Sequence, residues 1–198
     1  MSTRTAPSAV HQDRGVKCVT RTSSKIRVRD NITIVIRNAR TLRPAGKLQE
    51  LTHEMDRYRW NILGLCEMRW KSFGETTTEE EHKVFFSGKE DKHEHSVGFL
   101  VHKDIVNTFM GCRPVSSRLI TIRLRAVPFN ITIVQAYAPT SDYDDNEIEE
   151  FYANVKESLI SVSFHDRRVY TSVIELTVHS TTIEVIAMLS LSMSGSQL

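Results

Sequence analysis

Three apolar runs each end in a side chain able to do polar chemistry. Asn38 follows the run beginning at Ile32, Glu67 follows Ile62-Leu63-Gly64-Leu65-Cys66, and Tyr137 follows residues 131–136. Strand ends hold such groups at a rigid rim, where layered α/β proteins collect their binding residues. An amide, a carboxylate and a phenol at one rim make a candidate site. A polar residue also ends most strands, so spacing alone leaves both readings open. Other clusters suggest different chemistry. His82, His93 and His95 stand among Glu79, Glu80, Glu81, Glu90, Asp91 and Glu94. Their spacing is that of solvated loops around residues 83–87 and matches no zinc ligand pattern. Asp142, Asp144 and Asp145 lack the glycine and twelfth-position glutamate of a calcium loop, and read better as the acidic start of a helix. Cys66 sits inside an apolar run with no paired base, which reads as packing rather than as a nucleophile.

The elements that would position the trio follow from periodicity. Ile32, Ile34 and Ile36 alternate with Thr33 and Val35 as in a largely buried strand. Leu48, Leu51, Met55 and Tyr58 fall at helical spacing after Pro44 and Gly46. The continuous apolar run 62–66 reads as a strand covered on both faces. Strand, helix, strand favours an α/β or layered α+β domain over a helical bundle. Further strands are expected at 83–87, 97–102, 119–125 and 131–136. Residues 126–130 form a hairpin connection in which Pro128 cannot donate to a ladder. From Asp144 onward, Ile148, Phe151, Tyr152, Val155 and Leu159 line one helical face. Beyond Ile160 the chain becomes rich in Ser and Thr. There 168–174 reads as a strand and 182–189 as either element.

Composition sets the outer bounds. The 198 residues are 40% hydrophobic and 25% charged with 8 Gly and 5 Pro, which suits one globular domain with tails and excludes collagen-like or wholly disordered chains. The net charge of +2 is uninformative, but residues 1–43 carry ten Lys or Arg against Asp13 and Asp30. Residues 1–30 therefore read as a basic mobile arm able to touch phosphates, or simply as a solvated leader. Cys18, Cys66 and Cys112 are too few and too widely spaced for a disulfide scaffold. Residues 1–20 lack the apolar stretch of a secretory signal, and no run approaches the roughly 20 residues a bilayer needs. The expectation is an intracellular protein, of nucleus or cytoplasm, neither secreted nor bound to membrane.

Five stretches occur together in a telling order. They are Arg37-Asn38-Ala39-Arg40-Thr41-Leu42, Ile62-Leu63-Gly64-Leu65-Cys66-Glu67-Met68-Arg69-Trp70, Ser96-Val97-Gly98-Phe99-Leu100-Val101, Ser117-Arg118-Leu119-Ile120 and Gln135-Ala136-Tyr137-Ala138-Pro139-Thr140. Over residues 31–159 the chain resembles the front half of an endonuclease/exonuclease/phosphatase domain. The nearer resemblance is to the apurinic-type endonuclease region of non-LTR retrotransposons and to the craniofacial development protein 2 group. The resemblance implies two packed β-sheets flanked by helices, DNA as partner, and phosphodiester hydrolysis with Mg²⁺, or Mn²⁺ in its place. It makes Glu67 the metal-binding glutamate, Asn38 the asparagine supporting the metal, and Tyr137 the contact to the scissile phosphate. A hard cation that keeps most of its waters can be held by one carboxylate and substrate oxygens. Arg40 and Arg69 are candidate nucleic-acid contacts, Arg69 sharing the face of Glu67 if the strand continues.

The departures from the family pattern carry their own expectations. Arg37 replaces the family's tryptophan, so the first strand is expected to be altered there. The family's Gly-Asp-x-Asn motif, which orients the attacking water, and its Ser-Asp-His motif are both missing, for the sequence contains no Gly-Asp dipeptide and Ser141-Asp142 is followed by Tyr143. His165-Asp166 is a poor substitute, because neighbours on a strand face opposite ways. The expectation is an α/β fold forming an incomplete layered β-sandwich flanked by helices at 31–159, followed by an unrelated Ser/Thr-rich tail at 160–198. Hydrolysis is expected to be feeble or absent, leaving a nucleic-acid-binding remnant as the alternative. The uncovered sheet is expected to cost stability or to recruit a protein partner.

Overall fold

The computed structural model describes residues 25–27, 31–140, 143–163, 168–174 and 189–191. In chain order the first elements are β1 (Ile26–Arg27), β2 (Ile32–Asn38), helix α1 (Lys47–Met55), β3 (Ile62–Cys66), β4 (Phe73–Thr77), β5 (Lys83–Ser87) and β6 (Val97–Val101). After a 3-10 turn at Val106–Thr108 come β7 (Phe109–Ser116), β8 (Leu119–Leu124), β9 (Ala126–Val127), β10 (Ile131–Tyr137), helix α2 (Asp145–Ser163), β11 (Arg168–Ile174) and β12 (Leu189–Leu191). Most of the basic arm, and residues 182–188 of the late ambiguous segment, lie outside the described residues.

Two sheets pack face to face. One has the order β12-β2-β3-β6-β5-β4 and the other β11-β10-β8-β7, while β1 and β9 form a short parallel pair. Alternation explains the layers, because successive residues of a strand face opposite sides. Ile34, Ile36, Ile62, Phe99 and Val101 of the first sheet meet Ile120, Ile122, Ile131 and Ile133 of the second. Val35, Leu63, Leu65 and Leu100 point the other way, against Leu51 and Met55 of α1. Phe151 of α2 packs on Leu119, Val134 and Ala136. The result is the expected α/β architecture of two sheets between helices. The strand β3 is buried at all five positions, as its unbroken apolar run requires.

The expected strands form where the periodicity puts them, β8 and β10 pairing antiparallel, and β7, which the periodicity did not show, pairs with β8 to complete a meander. Several details differ. The first strand is not altered at Arg37: it runs through to Asn38, and Arg37 turns outward, where its Nη2 lies 2.9 Å from Glu54 Oε2 of α1. Glu54 is held below the usual carboxylate range by that bond. Ile26, within the span read as an arm, is buried in the inter-sheet core. Helix α1 ends at Met55, leaving Tyr58 exposed beyond it. On α2, Tyr152 is 52% exposed, and Ser158 turns inward instead. Among the described residues, no helix is long and apolar enough to cross a membrane.

Candidate functional site

The site is assembled by strand endings. Strands β2 and β3 are parallel with Asn38 opposite Cys66, so both finish at the same rim. The second sheet brings Tyr137, the last residue of β10, to that rim. Its approach depends on a missing side chain. A Cβ on Gly64 would fall 2.2 Å from Gln135 Oε1, so only glycine lets the buried Gln135 lie between the sheets. From there Gln135 Nε2 donates to Cys66 Sγ at 3.0 Å.

One carboxylate oxygen gathers the trio. Asn38 Nδ2 donates to Glu67 Oε1 at 2.9 Å and Tyr137 Oη donates to the same oxygen at 2.7 Å. Asn38 Oδ1 accepts from the Arg40 backbone N–H at 2.9 Å, which fixes the amide's orientation. Burial, then the bond to Glu67 and its charge, push the Tyr137 hydroxyl above the usual phenol range. At neutral pH a phenol keeps its proton in any case, and here that proton is given to Glu67. The other carboxylate oxygen, Glu67 Oε2, has Arg69 Nη2 at 3.8 Å.

The route by which Arg69 arrives differs from the expectation. The strand does not continue: β3 ends at Cys66, and both Glu67 and Arg69 adopt left-handed backbone, with φ of 53° and 58°. Such angles in non-glycine residues cost energy and persist only where the surroundings hold them. Here the surroundings are interlocked loops. Leu42 N–H donates to Met68 O at 2.9 Å, and the Trp70 indole N–H donates to Leu42 O at 3.0 Å. Met68 N–H donates to Ser96 O at 3.2 Å, and Trp70 N–H donates to Ser96 Oγ at 3.0 Å. The carboxylate thus stands on a loop clamped from both sides.

Sequence reasoning missed two members of this site. His95, read as part of a solvated loop, is half-buried in the cleft, with Arg118 Nη2 3.2 Å and Tyr143 Oη 3.3 Å from its Nε2. Burial, then the Arg118 charge, lower its pKa to about 4. Arg118 lies in the β7–β8 turn, with its guanidinium carbon 5.4 Å from the Tyr137 ring centroid and 4.6 Å from that of Tyr143. Arg118 stood in the stretch Ser117-Arg118-Leu119-Ile120 that carries the resemblance, and His95 in the cluster of histidines and acidic residues, but neither signal tied the two side chains to this cleft. His82 also leaves the loop reading, being 2% exposed and packed edge-on to Trp60 with ring centroids 5.1 Å apart. His93 stays exposed, its Nδ1 2.9 Å from the Arg69 carbonyl oxygen.

Glu67, Arg69, His93, Glu94, His95 and Tyr137 line a cleft of about 330 Å³. A second hollow of about 400 Å³ adjoins it, sharing Arg69 and His93 and adding Thr41, Arg43 and Pro44. The Arg40 side chain is exposed and lines neither. Among the described residues, no three His, Cys, Asp or Glu side chains converge on a metal position. The donor set fits a hard divalent cation that keeps most of its waters and is held through Glu67 Oε2, and it does not fit a dedicated protein cage. Both polar ends of Asn38 are engaged, so the amide positions the carboxylate.

Two sheets between helices give this chain a fold similar to that of solved endonuclease/exonuclease/phosphatase structures. The 3′ phosphatase NExo from Neisseria, solved with a product DNA hairpin, superposes with a TM-score of 0.52 at 12% identity, over 72% of this chain and 56% of that one. Craniofacial development protein 2 from Tragulus javanicus and from Bos taurus are each 33% identical to the chain over 122 residues, 62% of its length. The chain spans about a fifth of these curated relatives, 21% and 20% of their lengths. No family model matches it.

Proposed function

We propose that the cleft binds a DNA phosphodiester in the manner of a metal-assisted endonuclease, and binds DNA more capably than it cuts it. The observation that carries this reading is the convergence of Asn38 and Tyr137 on Glu67 Oε1 from the ends of strands in two different sheets. Glu67 would hold Mg²⁺, or Mn²⁺, through Oε2, and Asn38 would keep the carboxylate aimed. The bound cation would supply Lewis-acid stabilisation of charge on a phosphate oxygen. Tyr137 is poised to donate to a phosphate once released from Glu67. Arg69 with Arg43, and Arg40 beyond them, supply positive charge for the flanking phosphates.

Slow turnover follows from the remaining groups. Hydrolysis needs a water held for attack as well as a stabilised oxyanion. Among the described residues, the cleft offers one further carboxylate, Glu94, and it is drawn to Lys89 Nζ at 3.2 Å. The sequence contains no Gly-Asp dipeptide to supply the family's water-orienting aspartate.

Plasmid nicking and duplex binding, measured on the same samples in Mg²⁺, test the reading. Salt-sensitive binding is expected with nicking near background, and Glu67→Ala should leave binding within about threefold, since it removes a negative charge near the phosphates. Vigorous nicking that disappears with Glu67→Ala and with EDTA would instead make the chain a competent nuclease. Absence of binding by folded protein would remove the nucleic-acid reading altogether.

A further inference from the structure

His95 belongs to none of the residues the family resemblance supplies, yet it lines the cleft beside Glu67 and Tyr137. Its contacts determine its chemical form. Arg118 Nη2 and Tyr143 Oη both approach Nε2, at 3.2 and 3.3 Å. A guanidinium only donates, so Nε2 must present its lone pair and the ring proton must sit on Nδ1. Arg118 is itself pinned, donating from Nη1 to the Tyr137 and Ala138 carbonyl oxygens at 3.4 Å each. The ring is thus oriented by the strand end that delivers Tyr137.

The backbone gives a second, independent indication. His95 and Ser96 have φ of 57° and 40°, two consecutive left-handed residues without a glycine. Ser96 holds that turn in place through its bonds to Met68 and Trp70, in the loop carrying Glu67. Strain maintained by the surroundings marks sites where side-chain direction matters.

We propose that His95 is an additional binding residue of this cleft, giving its Nδ1–H to a phosphate oxygen of the bound strand while Arg118 and Tyr143 orient the ring. This rests on the phosphodiester reading above. A neutral donor suits the position, because a charged imidazolium would face the Arg118 guanidinium directly. Burial and the Arg118 charge keep the ring neutral at physiological pH.

Two variants of the full chain separate this role from a structural one. Asparagine sets its amide N–H₂ near the place of imidazole Nδ1 and accepts positive φ readily, whereas alanine offers no donor. Binding of a short DNA duplex in Mg²⁺, followed by fluorescence anisotropy, should fall about tenfold for His95→Ala, as for a lost hydrogen bond to a charged oxygen. His95→Asn should stay within about threefold of wild type. Equal affinity for wild type and His95→Ala would overturn the proposal, and so would equal losses for the two variants. Imidazole ¹⁵N spectra of the unliganded protein should show the Nδ1–H form; an Nε2–H ring would also overturn it. Failure of wild-type protein to bind the duplex would remove this proposal together with the phosphodiester reading. Wild-type binding that ignores both variants would remove the His95 role alone.

Discussion

One peptide bond separates two opposite environments in this protein. Cys66 is extended and 0% exposed, and burial pushes its thiol up to about 12. Glu67, its neighbour, has left-handed backbone and faces an open cleft. The same contrast runs along the rim: behind it lie strands packed on both faces, and on it stand Arg40, Glu67, Arg69, His95 and Ser96, all with positive φ. The comparison teaches a division of labour. The interior supplies rigidity through packing, while the rim supplies direction through strained turns that only a rigid base can hold.

The interior should yield the largest effects. Leu65→Ala removes a fully buried side chain packed beneath α1 and should cost about 2–5 kcal/mol in urea denaturation. A loss under about 1 kcal/mol would mean that the strands behind the rim are not a tightly packed base. Gly64→Ala comes next, at about 1–3 kcal/mol, because the new Cβ would collide with Gln135. Its cost should shrink when Gln135→Ala is added, and simple additivity would place the strain elsewhere.

Rim substitutions should act in the opposite sense on stability. Arg69→Gly relieves a left-handed residue and loses an exposed ion pair of little worth, so a gain of up to about 1 kcal/mol is expected. Under the phosphodiester reading the same variant should bind DNA more weakly. A destabilised Arg69→Gly would show that the rim is not strained. A last effect concerns acid. The unfolded His95 ring takes a proton near its ordinary value of 6.5, whereas the folded ring does so only near 4. Stability associated with the neutral ring is therefore present above pH 6.5 and lost as pH falls toward 4. Burial, then the Arg118 and Lys89 charges, hold the folded value down, while Glu94 and Glu67 oppose them. Urea midpoints at pH 7.5 and 4.5 should converge more closely in His95→Asn than in wild type; an identical pH dependence would exclude His95 as a contributor.

The sequence was readable wherever a strand or helix is buried on a regular period. β2, β3, β5, β6, β8 and β10 show this, as does the Phe151 face of α2. Elements without such burial were not readable. Strand β4 is exposed at all five positions and pairs only with β5, so its residues carry no alternation. Strand β7 contains Gly111 and Pro114 and shifts register twice against β8. At the site, Asn38, Glu67 and Tyr137 were legible because they end apolar runs. His95 and Arg118 were not, because their meeting is made by tertiary structure from a loop before β6 and the β7–β8 turn. The burial of His82 belongs with these, since Trp60 lies 22 residues away in the chain.

The indole bond from Trp70 to Leu42 has an optical consequence. The chain contains two tryptophans, and they occupy unlike surroundings. Trp60 is enclosed by His82 and His102 within the packed layer, whereas Trp70 joins the two loops that frame the cleft. In a Trp60→Phe background, fluorescence would come from Trp70 alone. Parting of the loops would then redden and quench the emission before any of the interior opened, giving a local signal distinct from global unfolding.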